Sequence, residues 1–266
     1  MIPQYFLLWT IALGVALAAA DRRARRHGLP RVNVMFVVAA CALVLVIGSK
    51  LLYLAEAHWA PTDDYVPRVM RGRAHGFRIP GGIAALALSL PSMCFLAGMD
   101  WRRFGDAMAE LPSQAIVFVR LGCFLNGCCF GRLSDVPWAV TFPPGSWAYW
   151  YQEAHGLVPR NAPRSLPVHP LQLYFLVAAL GAYVVLRVCR TRGWPPGRLQ
   201  LISYTMFFST TALLEPLRAN PLHLNMIIVQ SGSAVCIAWL IGESLWRWSQ
   251  NDRHNETAVR ALQPPS

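Results

Sequence analysis

Charge is scarce in this 266-residue chain, and it is missing over long stretches. Asp, Glu, Lys and Arg make up 14% of the residues against 55% hydrophobic ones, and mean hydropathy is +0.36. The runs 1–20, 32–49, 79–99, 165–186 and 219–242 hold none of the four charged types. A membrane-spanning helix needs about 20 mostly apolar residues, so these runs exclude an ordinary soluble domain. Other absences narrow the reading further. No basic segment precedes the first apolar run; the cluster DRRARRHGLPR follows it, which fits a first spanning helix and not a cleaved signal peptide. No soluble basic domain interleaved with aromatics is present, which argues against nucleic acid despite the net charge of +11. No internal repeat with matching broken helices is evident, which argues against an inverted-repeat transporter. The seven cysteines have no Cys-x-x-Cys pair. Most lie within apolar runs and read as small hydrophobes filling space. Adjacent Cys128 and Cys129 would point to different faces of a helix, so neither a zinc site nor a disulfide is expected.

What is present is a set of spans. Two shorter or interrupted runs join the five uncharged ones, one holding Arg120 and one ending at Glu215. The pattern predicts an all-α membrane protein with about seven transmembrane helices, roughly 3–20, 33–55, 79–99, 112–131, 168–188, 199–217 and 223–245. With the N-terminus outside and the C-terminus cytoplasmic, the arginines of 22–31, 102–103, 187–198 and 247–260 fall inside and form the majority. The positive charge then serves topology and anionic headgroups. Residues 1–250 read as one polytopic membrane domain, with an ordered outer-side arm at 132–167 that is rich in Pro, Trp and Tyr. Residues 251–266 read as a disordered cytoplasmic tail. DWRRFGDAMAEL at 100–111 reads as a short amphipathic helix on the inner surface, after which Pro112 opens the fourth span.

The informative residues are the polar ones inside the spans. An arginine at mid-span costs about 2.5–3.5 kcal/mol on insertion scales and faces a bundle interior or a cavity. If 112–131 is helical, Arg120, Cys123, Gly127 and Gly131 share one face. Two roles fit that stripe: a cavity in which an anionic group meets Arg120, or close helix packing with Arg120 paired to a structural carboxylate. In the sixth span Thr211, Glu215 and Arg218 share a face, and Pro216 kinks or ends the helix. Glu215 has two candidate partners, Arg120 and Arg218. His169 and Gln172 open the fifth span on one face. Lys50 lies in the outer third of the second, where it either snorkels to the interface or faces the same region. Several polar faces converge toward the outer halves of their spans, as a site for a phosphate-bearing amphiphile requires.

The order of these motifs resembles that of the bacterial prolipoprotein diacylglyceryl transferases. RLGCFLNGCCFG is similar to the signature R-x-G-N/C-F-x-N-G-E/C-x-x-G of that family, through Arg120, Gly122, Phe124, Asn126, Gly127 and Gly131. RLSDVPWAVTFP resembles the arm that follows it. SLPVHPLQLY resembles H-P-T-Q-L-Y-E through His169, Pro170, Gln172, Leu173 and Tyr174. GSKLLY resembles G-A-R-L-x-Y, IPGG resembles F-H-G-G, and the Glu215-x-x-Arg218 stretch resembles the end of R-x-x-x-E-x-x-R. The likeness extends over about residues 45–230. It implies an enzyme of the bacterial cytoplasmic membrane that moves the diacylglyceryl group of phosphatidylglycerol to a cysteine thiol of a lipoprotein precursor. Glycerol phosphate leaves, and no metal or organic cofactor takes part. It also implies roles. Arg120 binds the phosphate, and Glu215 orients an arginine or polarises the thiol; with Pro80 at the family's histidine position, either His75, His169 or Glu215 serves as the base, or nearby positive charge deprotonates the thiol without one. Lys50, Arg78, Gly81, Gly82, Asn126, Gly131, His169, Gln172, Tyr174 and Arg218 line or brace the substrate site. The sequence departs from the family pattern at Pro80 (histidine), Cys128 (glutamate), Phe175 (glutamate), Thr211 (arginine) and Lys50 (arginine). A family paralogue with another acceptor, or one that binds lipid without the reaction, is the alternative that these departures leave.

Overall fold

A backbone in hydrocarbon has no water to bond, so each apolar run must satisfy its own N–H and C=O groups, and the helical ladder does so within the segment. The computed structural model describes residues 3–59, 78–219 and 223–261, and those residues form nine α-helices. They are α1 (Pro3–Arg26), α2 (Arg31–Trp59), α3 (Ile79–Leu96), α4 (Trp101–Met108), α5 (Leu111–Asn126), α6 (Trp147–Ala154), α7 (Leu171–Arg190), α8 (Arg198–Leu214) and α9 (His223–Ala261). A single 3-10 turn, Glu215–Leu217, follows α8. Four stretches are long and apolar enough to cross a membrane: Arg31–Ala55, Ile79–Leu96, Leu171–Arg190 and Met226–Leu245. A fifth candidate is the pair α4 and α5, bent by 41°. The exterior of these helices is apolar, with Leu88, Phe95 and Leu96 each more than 80% exposed. That is the surface a lipid-facing bundle presents, and not one that water would tolerate.

The remaining two expected spans, 3–20 and 199–217, are the helices α1 and α8. α8 has 17 residues, about 26 Å of helix, and stops where Pro216 cannot donate to the ladder. The fourth expected span differs in its end. The apolar pattern predicts helix to residue 131, but α5 stops at Asn126, with Gly127 in a left-handed C-cap at φ 65°. The last helix, α9, runs to Ala261, covering 251–261. No glycine or proline interrupts that segment, and extending an existing helix adds one backbone bond per residue fixed.

α2 and α3 pack closely because glycines line their contact. A Cβ on Gly81 would lie 2.5 Å from the Leu52 Cβ, and one on Gly82 would lie 2.4 Å from the Ser49 Oγ. α5 packs on α1 and α7, and α8 packs on α7 and α9. At one end of the bundle the buried Glu110 accepts from Arg23 at 2.8 Å and from Arg190 at 2.7 Å, which ties α1, the α4–α5 bend and α7 together. Beside it Asp106 of α4 caps α8, accepting from the backbone N–H of Gly197 at 2.7 Å and of Gln200 at 2.9 Å. A cleft of about 330 Å³ lined by His27, Arg103, Arg190 and Trp194 opens there.

The arm at 132–167 carries its own small core. Phe130, Phe142, Ala148 and Val168 are buried together. Gln152 of α6 is buried and holds Leu166 through both its backbone groups, its Oε1 accepting at 2.6 Å and its Nε2 donating at 3.3 Å. Ser146 caps α6 through the Tyr149 N–H.

Candidate functional site

Three segments meet at the opposite end of α7 from the cleft, about 30 Å away along that 20-residue helix. They are the loop after α5, the segment leading into α7, and the turn after α8. Their backbones pair. Gly131 N–H donates to the His169 carbonyl at 3.0 Å, His169 N–H to the Arg132 carbonyl at 3.1 Å, and Arg132 N–H to the Leu217 carbonyl at 2.8 Å. Gly131 sits at the crossing. A Cβ there would lie 2.6 Å from the His169 Cβ and 2.9 Å from the His169 and Leu217 carbonyl oxygens. The expected stripe of Arg120, Cys123, Gly127 and Gly131 is therefore corrected. The helix ends before Gly131, whose smallness serves a backbone crossing and not a helix face.

Arg120 stands half-buried on α5 with its guanidinium 4.1 Å from the centre of the Phe175 ring on α7. Among the described residues it donates no hydrogen bond and makes no ion pair. Glu215, the carboxylate that could have claimed it, bonds instead to the Arg218 Nε at 2.9 Å, and Glu215 is buried. Of the two partners that the sequence leaves open for Glu215, the structure pairs it with Arg218. It also gives Phe175 a role. Where the family motif has a glutamate, this chain has an aromatic face that supports Arg120 without neutralising it.

His169 and Tyr174 meet at the mouth of α7. The Tyr174 hydroxyl lies 3.1 Å from the His169 Nδ1 and accepts from the Trp138 Nε1 at 2.7 Å. Trp138 belongs to the arm and was not among the expected site residues. Its only sequence signal is its place in the arm motif. Gln172 is fully buried, and its Nε2 donates to the Cys128 carbonyl at 2.7 Å, fixing the loop after α5. Asn126, in the last turn of α5, is buried as well. Cys123, Cys128 and Cys129 come together, their three sulfurs within 4.8 Å of one another. The adjacent positions of Cys128 and Cys129 predict divergent directions only on a continued helix. Here the chain turns at Gly127, and Cys128 N–H bonds back to the Cys123 carbonyl at 3.0 Å.

Lys50 and Arg78 form a second cationic group. Both face the Tyr53 ring, at 4.9 Å and 5.8 Å, and the Arg78 N–H donates to the Ser49 carbonyl. Gly81 and Gly82 behind them seat α3 on α2. Pro80 lies in the first turn of α3 and is buried. Thr211 is buried with its hydroxyl donated to the Phe207 carbonyl at 2.8 Å. His75 lies outside the described residues.

This arrangement offers an anion a guanidinium that no carboxylate among the described residues claims, on the helix whose following loop crosses the turn that carries the buried Glu215–Arg218 pair. Comparisons with known proteins agree with the motif order. The family model for prolipoprotein diacylglyceryl transferase matches residues 1–248. The phosphatidylglycerol–prolipoprotein diacylglyceryl transferase of Clostridium tetani is 26% identical over 214 residues, 79% of each chain. That of Pseudomonas aeruginosa is 24% identical over 263 residues, 93% of this chain and 89% of its own. That of Desulfotalea psychrophila is 21% identical over 270 residues, covering 97% and 93%. A match over nearly the whole chain, falling on the segments that converge around Arg120, makes this protein a member of the prolipoprotein diacylglyceryl transferase family.

Proposed function

We propose that this family member transfers the diacylglyceryl group of phosphatidylglycerol to the lipobox cysteine thiol of a lipoprotein precursor and releases glycerol phosphate. It works from within the bacterial cytoplasmic membrane, crossing it seven times with α1 and α8 included, the N-terminus outside. The observation that carries the reading is Arg120. Its charge is held on the Phe175 face and given to no carboxylate among the described residues, so a phosphodiester can take both arms of its planar fork. As the carbon–oxygen bond to phosphate breaks, negative charge grows on the leaving glycerol phosphate, and a fixed guanidinium stabilises it most at that moment. Arg218, held by Glu215, adds a second positive charge whose direction is set by the buried pair. His169, Tyr174 and Trp138 form a hydrogen-bonded wall at the arm, and Asn126 and Gln172 brace the loop that carries the signature. Lys50 and Arg78 receive headgroups at the α2–α3 end, with Gly81 and Gly82 letting those helices approach. The arm keeps water away so that transfer to sulfur outruns hydrolysis.

A specific observation supports a second reading, a paralogue with a different acceptor. Pro80 is built into a helix turn and Thr211 donates to its own helix, so two positions that bear side-chain chemistry in the family motif bear none here. One assay separates the two. Purified protein is incubated with labelled phosphatidylglycerol and a lipobox peptide, and thioether product is followed by mass. Product formation supports transfer to the peptide. Glycerol phosphate release without thioether would place the group on another acceptor.

A further inference from the structure

We propose that Cys123, Cys128 and Cys129 form a trithiolate site for a zinc-type cation, with its fourth position open to the acceptor thiol. The three sulfurs lie within 4.8 Å of one another. Zinc–sulfur bonds of about 2.3 Å in a tetrahedron bring sulfurs to about 3.8 Å, so side-chain rotations closing a gap of about 1 Å suffice. The backbone is shaped for this grouping. Gly127 takes φ 65° and turns the chain back on α5, and Cys129 takes φ 58°, the sole positive φ of a non-glycine among the described residues. A β-carbon disfavours that conformation, and here it delivers a thiol into the cluster. The buried Gln172 locks the turn from α7 through the Cys128 carbonyl at 2.7 Å, the kind of outer contact that orients metal ligands. Thiolates are soft ligands suited to zinc, and three protein ligands with a vacant fourth position is the pattern of catalytic zinc.

The role rests on the diacylglyceryl-transfer reading for its substrate. On binding the cation, the acceptor thiol gives up its proton to water, because a coordinating thiol is deprotonated outright. Its sulfur then attacks the glyceryl carbon that bears the phosphate. The carbon–sulfur bond forms as the carbon–oxygen bond breaks, and the electron pair leaves with glycerol phosphate toward Arg120. No oxidant or reductant takes part.

Cobalt(II), titrated into fully reduced, chelator-stripped protein in detergent, serves as the probe. One equivalent should bind with a sulfur-to-metal charge-transfer band that zinc displaces. Cys123→Ser and Cys129→Ser, checked for native circular dichroism, should weaken binding by about 10-fold or more, while Cys41→Ser on α2 leaves it unchanged. A lipobox peptide with cysteine should shift the cobalt spectrum, and the same peptide with serine should not. Zinc should then raise the rate of thioether formation over that of stripped protein. Absence of the charge-transfer band in folded wild type, or no shift with the cysteine peptide, would overturn the proposal, as would equal transfer rates with and without zinc. A shifted spectrum with no transfer in either state leaves the metal site standing and rejects the transfer reading instead.

Discussion

At the residue scale the argument turns on what Arg120 is denied. A mid-span guanidinium is expected to find a carboxylate, and the buried Glu215 belongs to Arg218 instead. Arg120→Ala should lower transfer by about 100-fold or more, the scale of removing one donor to a developing oxyanion. Arg120→Lys should recover little of it. An ammonium keeps the charge but loses the fork and much of the stacking on Phe175. Wild-type transfer rates in expression-matched Arg120→Lys protein would reduce the residue to a structural role. Gly131 makes a second residue-level claim. Its added methyl would meet the His169 Cβ at 2.6 Å, and overpacking of that kind costs about 1–3 kcal/mol. Gly131→Ala should therefore melt at a lower temperature in detergent than Gly14→Ala, whose new Cβ meets nothing within 4 Å. Equal melting temperatures for the two would contradict the crossing described here. Arg120, Gln172, Glu215 and Arg218 were visible in the sequence because a polar residue in an apolar run is rare. Trp138 was not, because in an exposed, aromatic-rich arm a tryptophan carries no such contrast.

At the element scale, helix ends decide more than helix bodies. α5 stops five residues before its apolar pattern does, and that early stop creates the loop on which Cys128, Cys129 and Gly131 sit, while Cys123 stays on the helix. α8 begins after Gly197 in a left-handed conformation, with no side-chain cap of its own. Asp106 on α4 supplies the cap from outside, with desolvation raising its carboxyl and the backbone N–H groups of α8 opposing that rise. Loss of a capping side chain costs about 0.5–2 kcal/mol. Asp106→Ala should speed amide hydrogen exchange across 197–203 while leaving the middle of α7 unchanged. Exchange at wild-type rates in that segment would show that α8 does not depend on α4.

At the scale of the whole molecule, two ends of the bundle are built differently. One is clamped by Glu110, buried between Arg23 and Arg190. Glu110→Gln leaves two guanidiniums facing a neutral amide. Breaking a buried pair in this way costs about 3–5 kcal/mol, so the variant should lose much of its thermal stability in detergent. Retained wild-type melting behaviour would mean that solvent reaches the clamp. The other end holds the backbone crossing, the arm and Arg120. In the N-outside orientation proposed above, the clamp lies inside and Arg120 toward the outside. A reporter fused after residue 26 should be active in its cytoplasmic form. Activity in its exported form would invert the orientation.

The sequence by itself determined that the chain lives in a membrane as helices, since lipid leaves a long uncharged run no other way to satisfy its backbone. It also determined which side chains are out of place there, because their insertion is unfavourable without a use or a partner. Motif order was enough to name the family. Tertiary structure decided the rest, because pairings depend on where elements stop and what lies across from them. Glu215 had two possible arginines in the sequence and has Arg218 in the fold. Phe175 read as a lost carboxylate and became the platform for Arg120. Cys128 and Cys129 read as divergent neighbours on a helix. One glycine in a left-handed conformation ends that helix and turns both toward Cys123, a grouping that no periodicity in the sequence encodes.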